Sequence, residues 1–342
     1  MPRVITFGEI MLRLSPPGFE RLFQSPVLSA TFGGGEANVA VSLAHFGVES
    51  CYVTRVPAHA LGDAAVRCLR AEGVLTDFVV RGGDRLGIYF AETGASQRAS
   101  TVIYDRAHSA IAELRPGMIE WSRVLEGADW LHVTGITPAL GPDAARVTAE
   151  AMAAARKAGA MVSLDLNFRR KLWSEQEARA TMRPLMRDVH VAIANEEDLQ
   201  STLGLEVAGA DVVTGQLNRD AYRDVARRVS EEYGCRMVAI TLRESTSASD
   251  NGWSAVLWDA AAGSFLVSQR YDVRLVDRIG GGDSFAAGLI YGLLSGRGPE
   301  ASLSFAVAAS ALKQTIPGDF NRVAVAEVDR LVAGDASGRV VR

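Results

Sequence analysis

The sequence predicts an α/β protein, a three-layer α/β/α sandwich with a mainly parallel sheet and a small β-sheet lid. Three observations predict this class. Short apolar runs alternate with longer stretches of helical spacing along most of the chain. Two glycine-rich turns, Gly33-Gly34-Gly35 and Gly280-Gly281-Gly282, each open a helical pattern. Two segments break the rhythm and read as β structure outside the main sheet.

The elements follow in order. Residues 4–8 form an apolar run of strand length. Residues 36–46 carry Val39, Leu43 and Phe46 at helical spacing. Residues 51–55 read as a strand, and 63–72 as a helix stopped by Gly73. Residues 130–134, 161–165, 191–194 and 237–241 are again short and strand-like, with helical stretches at 143–158, 174–187 and 220–233. Strand followed by helix, repeated, implies right-handed crossovers and helices on both faces. Residues 11–31 are rich in Pro, Ser and Phe, while 87–91 and 100–104 alternate around a polar turn at 92–99, as a hairpin does. Together, about 11–32 and 86–106 read as a lid on a single domain spanning 1–342.

Composition excludes several function classes. Of 342 residues, 48% are hydrophobic and 22% charged, with a net charge of −4 and no basic block, so no nucleic-acid partner is expected. Glu9 and Arg13 interrupt the N-terminal apolar stretch, which is neither a signal h-region nor a membrane span. Cys51, Cys68 and Cys235 form no CxxC pair and fit reduced thiols in a cytoplasmic setting. His45, His59, His108, His132 and His190 have no metal-ligand spacing. There is no G-x-x-x-x-G-K-[ST], so this is not a Walker A protein; no G-x-G-x-x-G follows the first strand, which weakens a dinucleotide reading, and no G-x-S-x-G stands out.

The chemistry concentrates at residues 275–288. Phe285, Leu289 and Leu293 have helical spacing, so Gly280, Gly281 and Gly282 open a helix. Glycines let consecutive main-chain N–H groups converge on one point, and a helix N-terminus adds unpaired donors and a favourable dipole. This is an anion site. Asp283 adjoins it and has two readings: a helix-start carboxylate, or a base that takes a hydroxyl proton during phosphoryl transfer.

The run Asp277-Arg278-Ile279-Gly280-Gly281-Gly282-Asp283 resembles the C-terminal signature of the ribokinase/PfkB family of carbohydrate kinases, usually D-T-x-G-A-G-D. Arg278 replaces the common Thr and Gly281 the common Ala. Residues 31–40 resemble the family's G-G-x-x-x-N motif, with Asn38 as its Asn, and 195–198 resemble N-x-x-E with Asp198 in place of Glu. The two glycine-rich starts lie about 245 residues apart and in the family's order, which is more specific than either alone. Segments 7–14, 165–173, 241–245 and 311–321 further resemble the branch acting on 2-keto-3-deoxygluconate.

The resemblance implies a ribokinase-like fold and transfer from ATP, with Mg²⁺, to the terminal (6-) hydroxyl of a sugar acid. It implies Asp283 as base and Gly280, Gly281 and Gly282 as the phosphate site. Gly34, Gly35, Asn38, Tyr89, Tyr104, Arg106 and Arg169 are implied for the sugar acid. Asn195, Thr241, Arg243, Ala309 and Lys313 are implied for the nucleotide, and Asp198 for Mg²⁺ through water. A monovalent cation, where the family builds one, falls near Asp277. The arginines make chemical sense, because a sugar carboxylate calls for a guanidinium and a neutral sugar does not. Hairpin packing explains the tyrosines equally well, and solvent exposure the arginines. The alternatives are a kinase for a neutral sugar such as fructose or ribose, a non-catalytic sugar sensor and, more distantly, a dehydrogenase. A lid with one apolar face also implies a homo-oligomer formed through it.

Overall fold

The computed structural model describes residues 1–207, 219–335 and 338. Among the described residues the main sheet has nine strands. Their spatial order is Ser264–Val267, Asp250–Asp259, Met237–Ser245, Val191–Ala194, Met161–Asp165, Trp130–Thr134, Arg3–Phe7 and Glu49–Val53, with Tyr271–Arg274 paired to Asp250–Asp259. From Met237–Ser245 across to Glu49–Val53 every pairing is parallel. The other edge is antiparallel.

Side chains of each strand alternate between two cores. Ile5, Phe7, Leu131 and Val133 face one side, against helices Pro142–Ala158, Glu175–Leu185 and Arg219–Tyr233. Val4, Trp130, Val191 and Ile193 face the other, against Gly35–His45, Gly281–Leu294 and Gly298–Lys313. Strands buried on both sides, with side chains alternating between two cores, are what a sheet covered on both faces requires. The expected three layers are present.

Bounds differ from the sequence expectation by a residue or two at most ends. The helix expected at 63–72 begins earlier, at Ala60, because the His59 ring accepts the Leu61 N–H. The stretch 174–187 is helical over Glu175–Leu185 and then tightens into a 3₁₀ turn, Met186–Asp188. Ser174 and Glu177 close its start as a reciprocal capping box. The antiparallel edge has no counterpart in the sequence reading. Asp250–Asp259 is buried along nearly its whole length, so it lacks the alternation that marks a strand.

The lid is a second sheet, ordered Ser29–Gly33, Met11–Ser15, Gly87–Glu92 and Thr101–Asp105. Its cleft-facing side packs Met11, Tyr89 and Ala91 with Val102, Tyr104 and Ile279. Its hairpin tip is pinned to the body: Ser96 N donates to Ser249 Oγ (2.9 Å) and Ala248 N to Ser96 O (2.8 Å).

Helices Gly281–Leu294 and Gly298–Lys313 pack through small residues. A Cβ on Gly288 would lie 2.7 Å from Ala306 Cα, and one on Gly292 2.7 Å from Ser302 Cα. These contacts seat the helix that carries the second glycine run. Gly288→Ala is therefore expected to lower stability by about 1–3 kcal/mol, read as a drop in the urea unfolding midpoint at unchanged m.

Candidate active site

A cleft of about 560 Å³ opens between the lid and the C-terminal ends of the parallel strands. This is where an open α/β sheet binds ligands, and the volume suits a small molecule. Both glycine-rich starts reach it.

Gly280 is the N-cap of helix Gly281–Leu294, with φ of +85° and no side-chain capping bond. A side chain there would meet Asp319 O at 2.1 Å, so glycine is required twice over. Gly282 is open to the cleft, with nothing within 4 Å of where its Cβ would be. Asp283 does not cap its own helix. Its Oδ2 accepts from Asn38 Nδ2 at 2.7 Å, across from the first glycine run. A Cβ on Gly35 would lie 3.6 Å from Asp283 Oδ1, so these two chain segments meet at this carboxylate. The carboxyl sits at the cleft floor, partly open to it. Burial pushes it up to about 6, against the Asn38 hydrogen bond that lowers it.

The first glycine run is fixed from below. Glu36 Oε1 accepts from Thr134 N, Thr134 Oγ1 and Thr137 Oγ1, which ties helix Gly35–His45 to the end of strand Trp130–Thr134. Asn38 Oδ1 accepts from Gly34 N (3.3 Å), leaving its Nδ2 for Asp283.

Beneath both lies a buried ionic network. Arg13 Nη2 donates to Asp277 Oδ2 (2.6 Å) and Arg13 Nη1 to Asp319 Oδ1 (2.7 Å). Tyr89 OH sits 2.7 Å from both oxygens of Asp319. Burial opposes the Arg13 charge, but Asp319 and Asp277 outweigh it and hold the guanidinium above its ordinary value. Lys313 is fully buried, and its Nζ donates to Asp277 O at 3.1 Å.

Tyr89, Tyr104, Arg106 and Arg169, expected to hold a sugar acid, all line the cleft, with Gly34, Gly35 and Asn38. The Arg106 guanidinium stacks 5.2 Å from the Tyr104 ring centre and is ion-paired to buried Glu9. Arg169 donates to Phe168 O (3.0 Å), and its charge works against the rise of the Asp165, Asp198 and Asp283 carboxyls. Asp165 and Asp198 lie nearby. Asp198 is pushed up to about 6 by burial, and Asp165 well above its ordinary value by burial and the charges of Asp198 and Asp283.

Asn195 and Asp198 form a reciprocal capping box: Asp198 N donates to Asn195 Oδ1, and Asn195 N to Asp198 Oδ2. Asp198 Oδ1 accepts from Phe168 N (2.8 Å), pinning the loop that carries Arg169. Asp198 therefore positions that loop in addition to facing the cleft. Among the described residues, no three His, Cys, Asp or Glu side chains are placed to cage a metal.

Thr241 and Arg243, expected at a nucleotide, line the cleft, as does Asn195. Ala309 and Lys313 do not. Both are 0% exposed, and Lys313 backs the glycine turn, its Cε 3.2 Å from a Cβ placed on Gly280. The expectation that they flank a nucleotide base is corrected: helix Gly298–Lys313 turns that face into the core. Sequence reasoning missed Arg13, Asp319, Asp165 and Glu9 as site residues. Arg13 is 264 and 306 residues from its partners, and no local spacing signals such a contact.

A family model described as pfkB family carbohydrate kinase matches residues 1–321. A Haloferax volcanii protein named 2-dehydro-3-deoxygalactonokinase is 32% identical over 337 residues, 98% of each chain. A Bacillus subtilis 2-dehydro-3-deoxygluconokinase is 30% identical over 320 residues, 93% of this chain and 91% of that one. A Thermotoga maritima crystal structure described as 2-dehydro-3-deoxygluconokinase superposes with a TM-score of 0.94 at 48% identity, covering 98% of this chain and 100% of that one.

Removing Arg13 would leave two buried carboxylates facing each other without a counter-charge. Arg13→Met is expected to cost about 3–5 kcal/mol, measured by urea denaturation. A loss under 1 kcal/mol would show that the network does not hold lid and loop together.

Proposed function

Because this chain belongs to the pfkB family of carbohydrate kinases, we propose that it phosphorylates the terminal (6-) hydroxyl of 2-keto-3-deoxygluconate with ATP. That acid is the 2-dehydro-3-deoxygluconate for which two of the relatives above are named. The observation that carries the reading is Asp283: a carboxylate at the mouth of the Gly280–Gly282 turn, steered by Asn38 toward the cleft.

The sugar acid lies beneath the lid with its carboxylate toward Arg169 and its terminal hydroxyl toward Asp283. Asp283 takes the hydroxyl proton as the oxygen attacks the γ-phosphorus in line. The main-chain N–H at Gly282 stabilises charge on the transferring group, while that of Gly281 donates to Arg278 O (3.2 Å) and holds the turn. The lid excludes water, which limits hydrolysis of ATP. Mg²⁺, which supplies charge neutralisation on the phosphates when bound, fits hard oxygen donors that leave it largely hydrated. Asp198 and Asp165 are the carboxylates that would hold it through water. Near Asp277 the chain supplies its own cations, Arg13 on the carboxylate and Lys313 on the carbonyl, so the mechanism needs no monovalent ion there. ATP supply places the reaction in the cytoplasm. Exposed Phe19, Phe23, Val27 and Ile103, on the lid and its connecting loop, are the surface through which two copies would pair.

Arg169 favours a sugar acid over a neutral sugar, because its guanidinium lines the cleft, where it donates to the Phe168 carbonyl. Arg106 is compensated by Glu9 and is the weaker ligand. Arg169→Ala should raise KM for 2-keto-3-deoxygluconate by about 10-fold or more, and Arg106→Ala by less. A panel with the galactonate epimer, fructose and ribose decides the class. A higher kcat/KM for fructose or ribose would replace the acid by a neutral sugar, and binding without ADP release would make the protein a sensor.

Asp283→Asn should fold and lose about 10²–10⁴ in kcat. The wild-type rate should fall as pH drops through about 6, where Asp283 takes up its proton. Stability runs the other way. A carboxyl raised from its ordinary 3.8 to about 6 favours the fold fully below 3.8, and that contribution is lost as pH rises through about 6. At pH 8 Asp283→Asn should therefore melt no lower than the wild type. An Asp283→Asn enzyme with wild-type turnover would end this mechanism.

A further inference from the structure

All four strands of the lid meet the body of the protein at Glu9. Glu9 stands two residues before strand Met11–Ser15. A Cβ on Gly34, the residue after strand Ser29–Gly33, would lie 1.9 Å from Glu9 O. A Cβ on Gly87, which opens strand Gly87–Glu92, would lie 2.8 Å from Glu9 Oε1 and 3.4 Å from Arg106 Cβ. Arg106 follows strand Thr101–Asp105 and is ion-paired to Glu9.

Glu9 is 1% exposed and forms no part of the cleft wall. Its Oε2 accepts from Arg106 Nε (2.8 Å) and Nη2, and its Oε1 from Ser109 Oγ (2.9 Å). These contacts divide the guanidinium. Its Nε–Nη2 edge is turned onto Glu9. Its Nη1 makes no hydrogen bond among the described residues, and Arg106 lines the cleft beside the Tyr104 ring. A buried ion pair is a poor device for stability alone. Two apolar side chains of the same volume would fill the lid root without desolvating two charges. They would not hold a guanidinium at a fixed angle, which a hydrogen-bonded carboxylate does.

We propose that Glu9 is a positioning residue for the acceptor sugar acid. It turns the Arg106 guanidinium so that the Nη1–Nη2 edge is presented to the cleft, and it ties that edge to the root of the lid. A substrate oxygen then meets donors already oriented. The freedom of the long arginine side chain is lost in folding, so binding does not have to remove it. Because Glu9 touches the roots of all four lid strands, an oriented Arg106 and a seated lid are one arrangement. The inference rests on the sugar-acid reading above and deepens it, adding a residue that acts through Arg106 and does not itself reach the cleft.

The test is steady-state kinetics of the full-length enzyme with 2-keto-3-deoxygluconate and ATP. Glu9→Ala should raise KM for the sugar acid by about 2- to 10-fold, the value of one directed hydrogen bond. KM for ATP should stay level, whereas loss of a merely structural lid support would raise both. Glu9→Gln keeps an acceptor for Arg106 and a donor for Ser109, so it should recover most of the affinity. The double variant Glu9→Ala/Arg106→Ala should show the sugar KM of Arg106→Ala alone, because Glu9 then has nothing to orient. It removes both charges, so it stays readable even where the single variant, with an unpaired buried guanidinium, does not fold. An unchanged sugar KM in Glu9→Ala, an equal rise for ATP, or a further loss in the double variant each overturns the proposal. A wild type that turns over fructose or ribose and not the acid defeats the sugar-acid reading instead, and the same set of variants on that sugar then decides the role of Glu9.

Discussion

A single guanidinium organises the cleft. Arg13 comes from the lid, Asp277 from the loop before the second glycine turn, and Asp319 from the segment after the last core helix, and they meet out of water. Charges in that setting persist only when paired with good geometry, so the three segments are held in one arrangement. Asp319 passes the constraint on: it accepts from Tyr89 on the lid and lies within 3.5 Å of Asn38 Nδ2. Asn38 in turn steers Asp283. The position of the proposed base thus depends, through three contacts, on the Arg13–Asp319 ion pair.

Charge is separated along the cleft. Asp165, Asp198 and Asp283 line one part of it, and burial raises the proton affinity of all three, with the charges of Asp198 and Asp283 adding to it at Asp165. Arg243 and Arg278 line another part and form no ion pair within 4 Å among the described residues. In the proposed reaction a nucleotide would bring its negative charge to the arginines, and Asp283 would take the proton of the hydroxyl. Raising that base toward neutrality also strengthens it as a proton acceptor.

Close packing sets the geometry of the second glycine turn. Gly288 and Gly292 let helix Gly281–Leu294 approach its neighbour, whose Lys313 reaches beneath Gly280. The buried ammonium is held by backbone carbonyls instead of a carboxylate salt bridge. Its positive charge therefore lies under the anion site, adding to the helix dipole.

The sequence by itself determined the layered fold, the lid and the two glycine-rich starts, because these rest on local periodicity and on glycine's freedom at positive φ. It also placed Asp283, Asn38, Arg169 and Arg243 at a common cleft, through short motifs whose meaning is local. The tertiary structure alone decided which groups are partners. It set Asp283 against Asn38 and not against its own helix start, turned Ala309 and Lys313 into the core, paired Arg106 with Glu9, and joined Arg13 to residues hundreds of positions away. It also revealed the antiparallel edge, since a strand buried on both faces carries no alternation to read. Electrostatic partnership depends on distance in space and on exclusion of water, and neither quantity is encoded in spacing along the chain.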